Sequence, residues 1–193
     1  MCKNHFFNIL IATSLFSTGS MALAADNDPV EPPVLVQGGA VHFKGEIVNA
    51  ACAVGAESIN QTINLGQYRT ANFKAVGDKT GLVPFTIKLQ DCDTAVATSA
   101  AVAFSGNADA SDNSVLATSN IGGGASDAAS GVGIEIADNK GKILAPNGGD
   151  FSTAQTLNDG SNVLYFTARY KATSTTVTPG QADADATFTM KYE

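Results

Sequence analysis

The pattern that organises this chain is a set of short runs in which apolar and polar residues alternate. Gly39, Val41, Phe43, Gly45 and Ile47 alternate with Ala40, His42, Lys44 and Glu46. Successive side chains of a strand point to opposite faces, so this spacing predicts a strand with one buried face. The same period recurs at Ile63 and Leu65, at Val83, Phe85, Ile87 and Leu89, at Ala100, Val102 and Phe104, and at Val132, Ile134 and Ile136. It returns at Leu164, Phe166, Ala168 and Tyr170, and in a last run at Ala184, Ala186, Phe188, Met190 and Tyr192. No helical pattern of useful length interrupts these runs. Turn-forming clusters separate them, DNKG at 138–141, PNGG at 146–149 and NDGS at 158–161, because Gly and Asn accept the positive φ of tight turns. Residues 105–131 are small and polar and read as exposed loop with a short strand around Val115. Many short antiparallel strands with regular turn signals predict an all-β, immunoglobulin-like sandwich.

The first run carries an anomaly. Gly39 and Gly45 lie on its apolar face, and glycine weakens a strand unless another backbone must come close to it. Ahead of it, residues 25–37 (ADNDPVEPPVLVQ) are acidic and proline-rich, the composition of an extended leader. A strand pattern that follows such a leader raises the question of whose core it fills.

Composition then narrows the class. Lys3 and His5 precede an apolar run at 6–16, and Ala22-Leu23-Ala24 has the form of a signal-peptidase site, so residues 1–24 are expected to be a secretory signal. Cys2 precedes the apolar run, which does not fit a lipoprotein. Removing those 24 residues of 193 leaves 169 with 10 Lys+Arg against 18 Asp+Glu, a charge of −8. That balance argues against nucleic acid as a partner. No later run is long and apolar enough to be expected to insert in a membrane. The remaining cysteines, Cys52 and Cys92, would meet in an oxidising compartment, and one disulfide is the natural expectation. It would close a loop of about 41 residues and stabilise by roughly 3–4 kcal/mol.

Catalytic and metal-binding chemistry finds little to work with. His42 is the one histidine after residue 24 and falls on the polar face of its strand. Neither a zinc nor a copper set can be assembled from it and two paired cysteines. The acidic residues fall in turns without the spacing of a calcium loop, and glycines 122–124 lack the frame of a phosphate cradle. Asn60-Gln61-Thr62 is a glycosylation sequon by letter only, and the absence of Trp weakens a lectin reading. No cofactor and no enzymatic role are expected.

Several stretches together resemble the major structural subunit of type 1 fimbriae, the chaperone/usher-assembled pili of Gram-negative bacteria. They are GGAVHFKGEIVNAACAV at 38–54, LGQYRTANF at 65–73, LQDCD at 89–93, AAVAFSG at 100–106, GVGIEIAD at 131–138, ARYKAT at 168–173 and TPGQADADATFTMKYE at 178–193. The resemblance implies an incomplete immunoglobulin-like sandwich that lacks its last strand and is completed by donor-strand exchange. By position, Gly39, Val41, Phe43, Gly45 and Ile47 would be the donor residues, with Gly45 where only a hydrogen side chain fits. The family's disulfide falls on Cys52 and Cys92. Its carboxyl-terminal pattern, the edge that chaperone and donor would meet, falls on Gly180, Phe188, Met190 and Tyr192. The leader is longer than is usual in that family and carries Pro29, Pro32 and Pro33.

The organisation implied is a signal at 1–24, an extension at 25–48 with the donor strand at about 37–48, and a pilin domain at 49–193. Implied partners are other copies of the subunit, a periplasmic chaperone, an outer-membrane usher and tip subunits, and the implied location is a surface fimbrium. Two rival readings are a minor or adaptor fimbrial subunit and a self-contained secreted β-sandwich binding protein. An adhesin with its own lectin domain would need roughly another 150 residues.

Overall fold

A computed structural model describes residues 32–121 and 127–193. Gly45–Glu193 form one compact unit. The signal segment 1–24, the leader as far as residue 31 and glycines 122–124 lie outside the described residues. Among those described, the strands are β1 (Ala53–Val54), β2 (Val83–Cys92), β3 (Ser99–Gly106), β4 (Leu116–Ala117), β5 (Val132–Asp138), β6 (Gln155–Thr156), β7 (Gly160–Ala172) and β8 (Ala186–Tyr192). All ladders between them are antiparallel. One sheet runs β1-β2-β7-β5-β4 and the other β6-β3-β8. This is the immunoglobulin-like sandwich that the alternating runs predict.

Register follows the hydrophobic pattern, since a slip of one residue would turn every apolar side chain outward. Phe85 pairs with Phe166, Ile87 with Leu164, Ile136 with Ala168 and Phe104 with Phe188. The core of Ile87, Leu89, Val102, Phe104, Leu164 and Phe166 is buried between the sheets. Three aromatic rings meet at its centre, with centroids 5.5 Å apart for Phe85–Phe166, 5.4 Å for Phe104–Phe166 and 6.1 Å for Phe85–Phe104. Such offset and edge-on contacts add about 0.5–1.5 kcal/mol per pair to area burial. The disulfide joins Cys52 to Cys92 across the β1–β2 end of the larger sheet. The strand expected near Val115 is β4, and Val115 itself is fully buried.

The structure departs from simple alternation in four places. All seven residues of β5 are buried, including Glu135 on the nominally outer face. Lys79 Nζ lies 2.9 Å from Glu135 Oε2, and Arg169 donates to its Oε1 at 2.7–2.8 Å, so the buried charge is paired. In β3, Ala101 and Ala103 are buried as well as Ala100, Val102 and Phe104. Ile63 and Leu65 lie in no ladder: after β1 the chain makes a short 3-10 turn and then Asn60 takes φ 57, so the run leaves the sheet. The last strand begins at Ala186 rather than Ala184.

Candidate functional site

One edge of this sandwich is open. β8 pairs with β3 on one side, and no described strand pairs with the other. Ser99 and Glu193 exchange both main-chain hydrogen bonds, at 2.9 and 3.0 Å. Bonded and non-bonded pairs alternate along an antiparallel ladder, so Lys191, Thr189 and Thr187 also turn their main-chain groups toward β3. Bonds on the far side of β3 fix the same phase: the carbonyls of Val102 and Phe104 accept from Ser152 and Gly148, each at 2.8 Å. The N–H and C=O groups of Ala186, Phe188, Met190 and Tyr192 therefore point to the free edge. The side chains of Phe188, Met190 and Tyr192, from the same residues, face the core and are only half-buried.

Beside that edge is a cavity of about 700 Å³. Its floor is Phe85, Ile87, Phe104, Ile134, Ile136 and Phe188, and its rims are the irregular segment 60–66 and residues 182–186. These are inward-facing residues of four strands, yet Phe85 and Phe188 remain half-exposed at the centre of the sandwich. A sandwich interior is close-packed to a density like that of organic crystals, so a channel of this size along one edge is the place of a whole strand. At its far end Tyr192 Oη donates to the Cys52 carbonyl at 3.3 Å. At the near end Tyr170 Oη donates to Ala182 O at 3.0 Å, and its ring meets Tyr68 edge-on at 5.8 Å. Burial raises the pKa of both hydroxyls, with Asp183 and Tyr68 adding to the effect at Tyr170, so both stay protonated donors.

Residues 32–50 form no ladder and expose their side chains. Val41 is 77% exposed, Phe43 92% and Ile47 100%. Neither Gly39 nor Gly45 has any atom within 4 Å of where a Cβ would stand. At Gly45, where φ is not positive, nothing within its own chain requires glycine. Gly180 is the opposite case. It lies before β8, on the segment bonded to residues 127–130, where a Cβ would come within 2.5 Å of Ala129 N and 2.6 Å of Ala128 C. The site residues singled out in the sequence thus fall in three places: Phe188, Met190 and Tyr192 on the open edge, Gly180 at the surface but packed against the backbone of residues 127–129, and the glycine-containing run exposed. The floor residues Phe85, Phe104, Ile134 and Ile136 read in the sequence only as core. His42 is exposed, and among the described residues no group of three or more His, Cys, Asp and Glu stands close enough to hold a metal.

An all-β sandwich one strand short, with an apolar channel along its open edge, is a class defined by what it can accept. Residues 41–193 match the family of fimbrial proteins, and the chain belongs to that family. It is 55% identical over 180 residues to the fimbrial subunit type 1 of Salmonella typhimurium, covering 93% of this chain and 94% of that one. Against the type-1 fimbrial protein, A chain, of Salmonella typhi, it is 53% identical over 99% of this chain and 100% of the other. Among solved structures, a chaperone–usher pilus whose rod uncoiling was described superposes with a TM-score of 0.66 at 29% identity, covering 84% of this chain and all of that chain. The protein is a fimbrial subunit of the chaperone–usher type, a structural family rather than an enzyme family, and its place is the surface fimbrium.

Proposed function

We propose that this chain is the major, rod-forming subunit of a type 1-like fimbria and that it polymerises by donor-strand exchange. One observation carries the reading: an exposed run with strand alternation stands in the same chain as an open apolar channel bordered by a free strand edge. The two match in length. The seven residues from Val41 to Ile47 extend about 20 Å, as do the seven residues of β8. The donor of one copy would add to the β8 edge of the next, taking main-chain bonds from Ala186, Phe188, Met190 and Tyr192 and seating Val41, Phe43 and Ile47 over the aromatic floor.

Burying those three side chains contributes roughly 5–9 kcal/mol before hydrogen bonds are counted. Gly45 would stand where the groove leaves room only for a hydrogen. Because donor and acceptor surfaces differ, the contact is heterologous and propagates into a filament. An unfilled edge invites aggregation, so a periplasmic chaperone would cover it first and an outer-membrane usher would direct the exchange. The extension would then be residues 25–48 after a signal at 1–24, and the acceptor domain residues 49–193.

The test is a capping experiment. A peptide of residues 37–48, added in excess to the full chain, is expected to bind the groove and halt fibre growth, and the same peptide carrying Gly45→Leu is expected not to. A peptide that neither binds nor slows assembly contradicts donor-strand exchange.

A further inference from the structure

The free edge does not begin with β8. Upstream, Ser119 and Asp183 exchange both main-chain hydrogen bonds, at 2.8 and 3.1 Å. The Gln181 carbonyl accepts from the Ala129 amide at 2.6 Å, and the Gln181 amide donates to the Asp127 carbonyl at 3.0 Å. Gln181 and Asp183, like Thr187, Thr189 and Lys191, thus turn their main-chain groups into the body. Along an extended chain these directions alternate, so those of Ala182 and Ala184 point the other way, in line with Ala186, Phe188, Met190 and Tyr192. The main chain therefore carries the outward-facing edge back as far as Ala182.

One side chain interrupts it there. Tyr170 stands on the inward face of β7, where the channel meets a second depression of about 680 Å³. Its Oη donates to the Ala182 carbonyl at 3.0 Å, and its ring meets Tyr68, which follows the other rim, at 5.8 Å. The outward carbonyl of Ala182 is already engaged, and the phenol that joins the two rims lies across the way of a strand continuing past it. What remains open is Ala184 to Tyr192, nine residues with five outward sets of main-chain groups. The run from Gly39 to Ile47 is also nine residues, with five on its apolar face.

We propose that the Tyr170 hydroxyl is a register stop: by capping Ala182 it ends the acceptor edge at Ala184 and so positions the strand that adds there. This rests on the donor-strand reading and adds to it a positioning residue. Alternation alone does not fix the register. A slip of one residue turns the apolar face outward, but a slip of two keeps Val41, Phe43 and Ile47 inward and changes only the place each one fills, and glycine-containing strands slip most readily. With Ala182 capped, a slip of two toward it finds no main-chain partner. A slip the other way leaves the groups of Ala184 unpaired, at the cost of the hydrogen bonds they would have made.

The experiment maps the register of the 37–48 peptide on the full chain, using a peptide with a diazirine-bearing leucine in place of Ile47 and locating the photo-cross-links by mass spectrometry. The parent chain is expected to give one set of attachments. Tyr170→Phe keeps the ring and its contact with Tyr68 but frees the Ala182 carbonyl. It is expected to give a second set, displaced by two residues, about 7 Å, toward Ala182. A hydroxyl that only stabilises the rim would lower the urea midpoint of Tyr170→Phe and leave a single set of attachments in place; that result overturns the proposal. A second measurement needs no variant: on peptide binding the Ala184 and Ala186 amides should gain protection from hydrogen exchange while the Ala182 amide gains none, and a gain at Ala182 in the parent contradicts a stop there. If the peptide fails to bind the parent chain at all, the donor-strand reading itself is at fault.

Discussion

Tyr192 Oη donates a hydrogen bond to the carbonyl of Cys52, 3.3 Å away, and so fastens the end of the open edge strand to the disulfide. The contact spans the two sheets, because Tyr192 ends β8 while Cys52 precedes β1. It ties the end of the edge strand to the covalently linked end of the other sheet.

Removing the hydroxyl alone should show this. Tyr192→Phe keeps the ring's packing and loses one hydrogen bond, an expected loss of about 1 kcal/mol in urea unfolding of the peptide-capped protein. Tyr192→Ala also removes a half-buried ring and is expected to cost about 3 kcal/mol or more.

Reduction of the disulfide is expected to lower stability by roughly 3–4 kcal/mol, from a loop with a sequence separation of 40. The check is the urea midpoint of oxidised and reduced protein at equal peptide saturation. Equal midpoints would mean that the link does not constrain the unfolded chain.

The outer face of the larger sheet should be sensitive to the loss of one carboxylate. Glu135 is buried and faces Lys79, Arg169 and Lys171, the last at 3.7 Å. Burial pushes its pKa up, but hydrogen bonds and charge from Lys79 and Arg169 outweigh this and hold it below the usual carboxylate range. Glu135→Ala takes this partner from Lys79 and Arg169, while Lys171 keeps Asp112, and is expected to destabilise by about 3–5 kcal/mol in denaturant titration.

Acid stability should depend in part on Asp112. Burial opposes its charge, yet hydrogen bonds from Lys171 and Ser114 prevail and bring its pKa to about 2 from 3.8. Lys171 Nζ lies 2.7 Å away. A carboxyl whose folded pKa is depressed stabilises above its unfolded pKa and loses that stability as pH falls through the folded value. The window is therefore from about 4 down to about 2. Asp112→Asn, which keeps the oxygen that accepts from Ser114, is expected to flatten the urea midpoint across that window relative to the parent.

Much of this architecture is legible in the sequence. Val83 to Leu89 and Leu164 to Tyr170 alternate so strictly that the inward face follows from the letters, although which strand pairs with which does not, and in an exported chain the pairing of Cys52 with Cys92 is close to forced. The channel is less legible. Phe85 and Phe188 carry the same pattern as Ile87 and Leu164, and nothing local to them records that their neighbour is absent; only the two glycines of the exposed run hinted at a partner. Glu135 looks like an outward residue because alternation says nothing about cations across the sheet, and the irregular path of Ile63 and Leu65 is set by Asn60 and the turn before it. Gly180 belongs to the carboxyl-terminal pattern of the resemblance, but its tight fit against residues 127–130 is a tertiary fact.

Hydrogen exchange on the full chain, compared before and after assembly, tests the central claim most directly. In the unassembled subunit the amides of Phe188, Met190 and Tyr192, and those of residues 41–47, should exchange rapidly, since none is held in a ladder. In fibres, Phe188, Met190, Tyr192, Val41, Phe43, Gly45 and Ile47 should become protected together. Fibres in which these amides still exchange at the subunit's rate would contradict donor-strand exchange as the bond between copies.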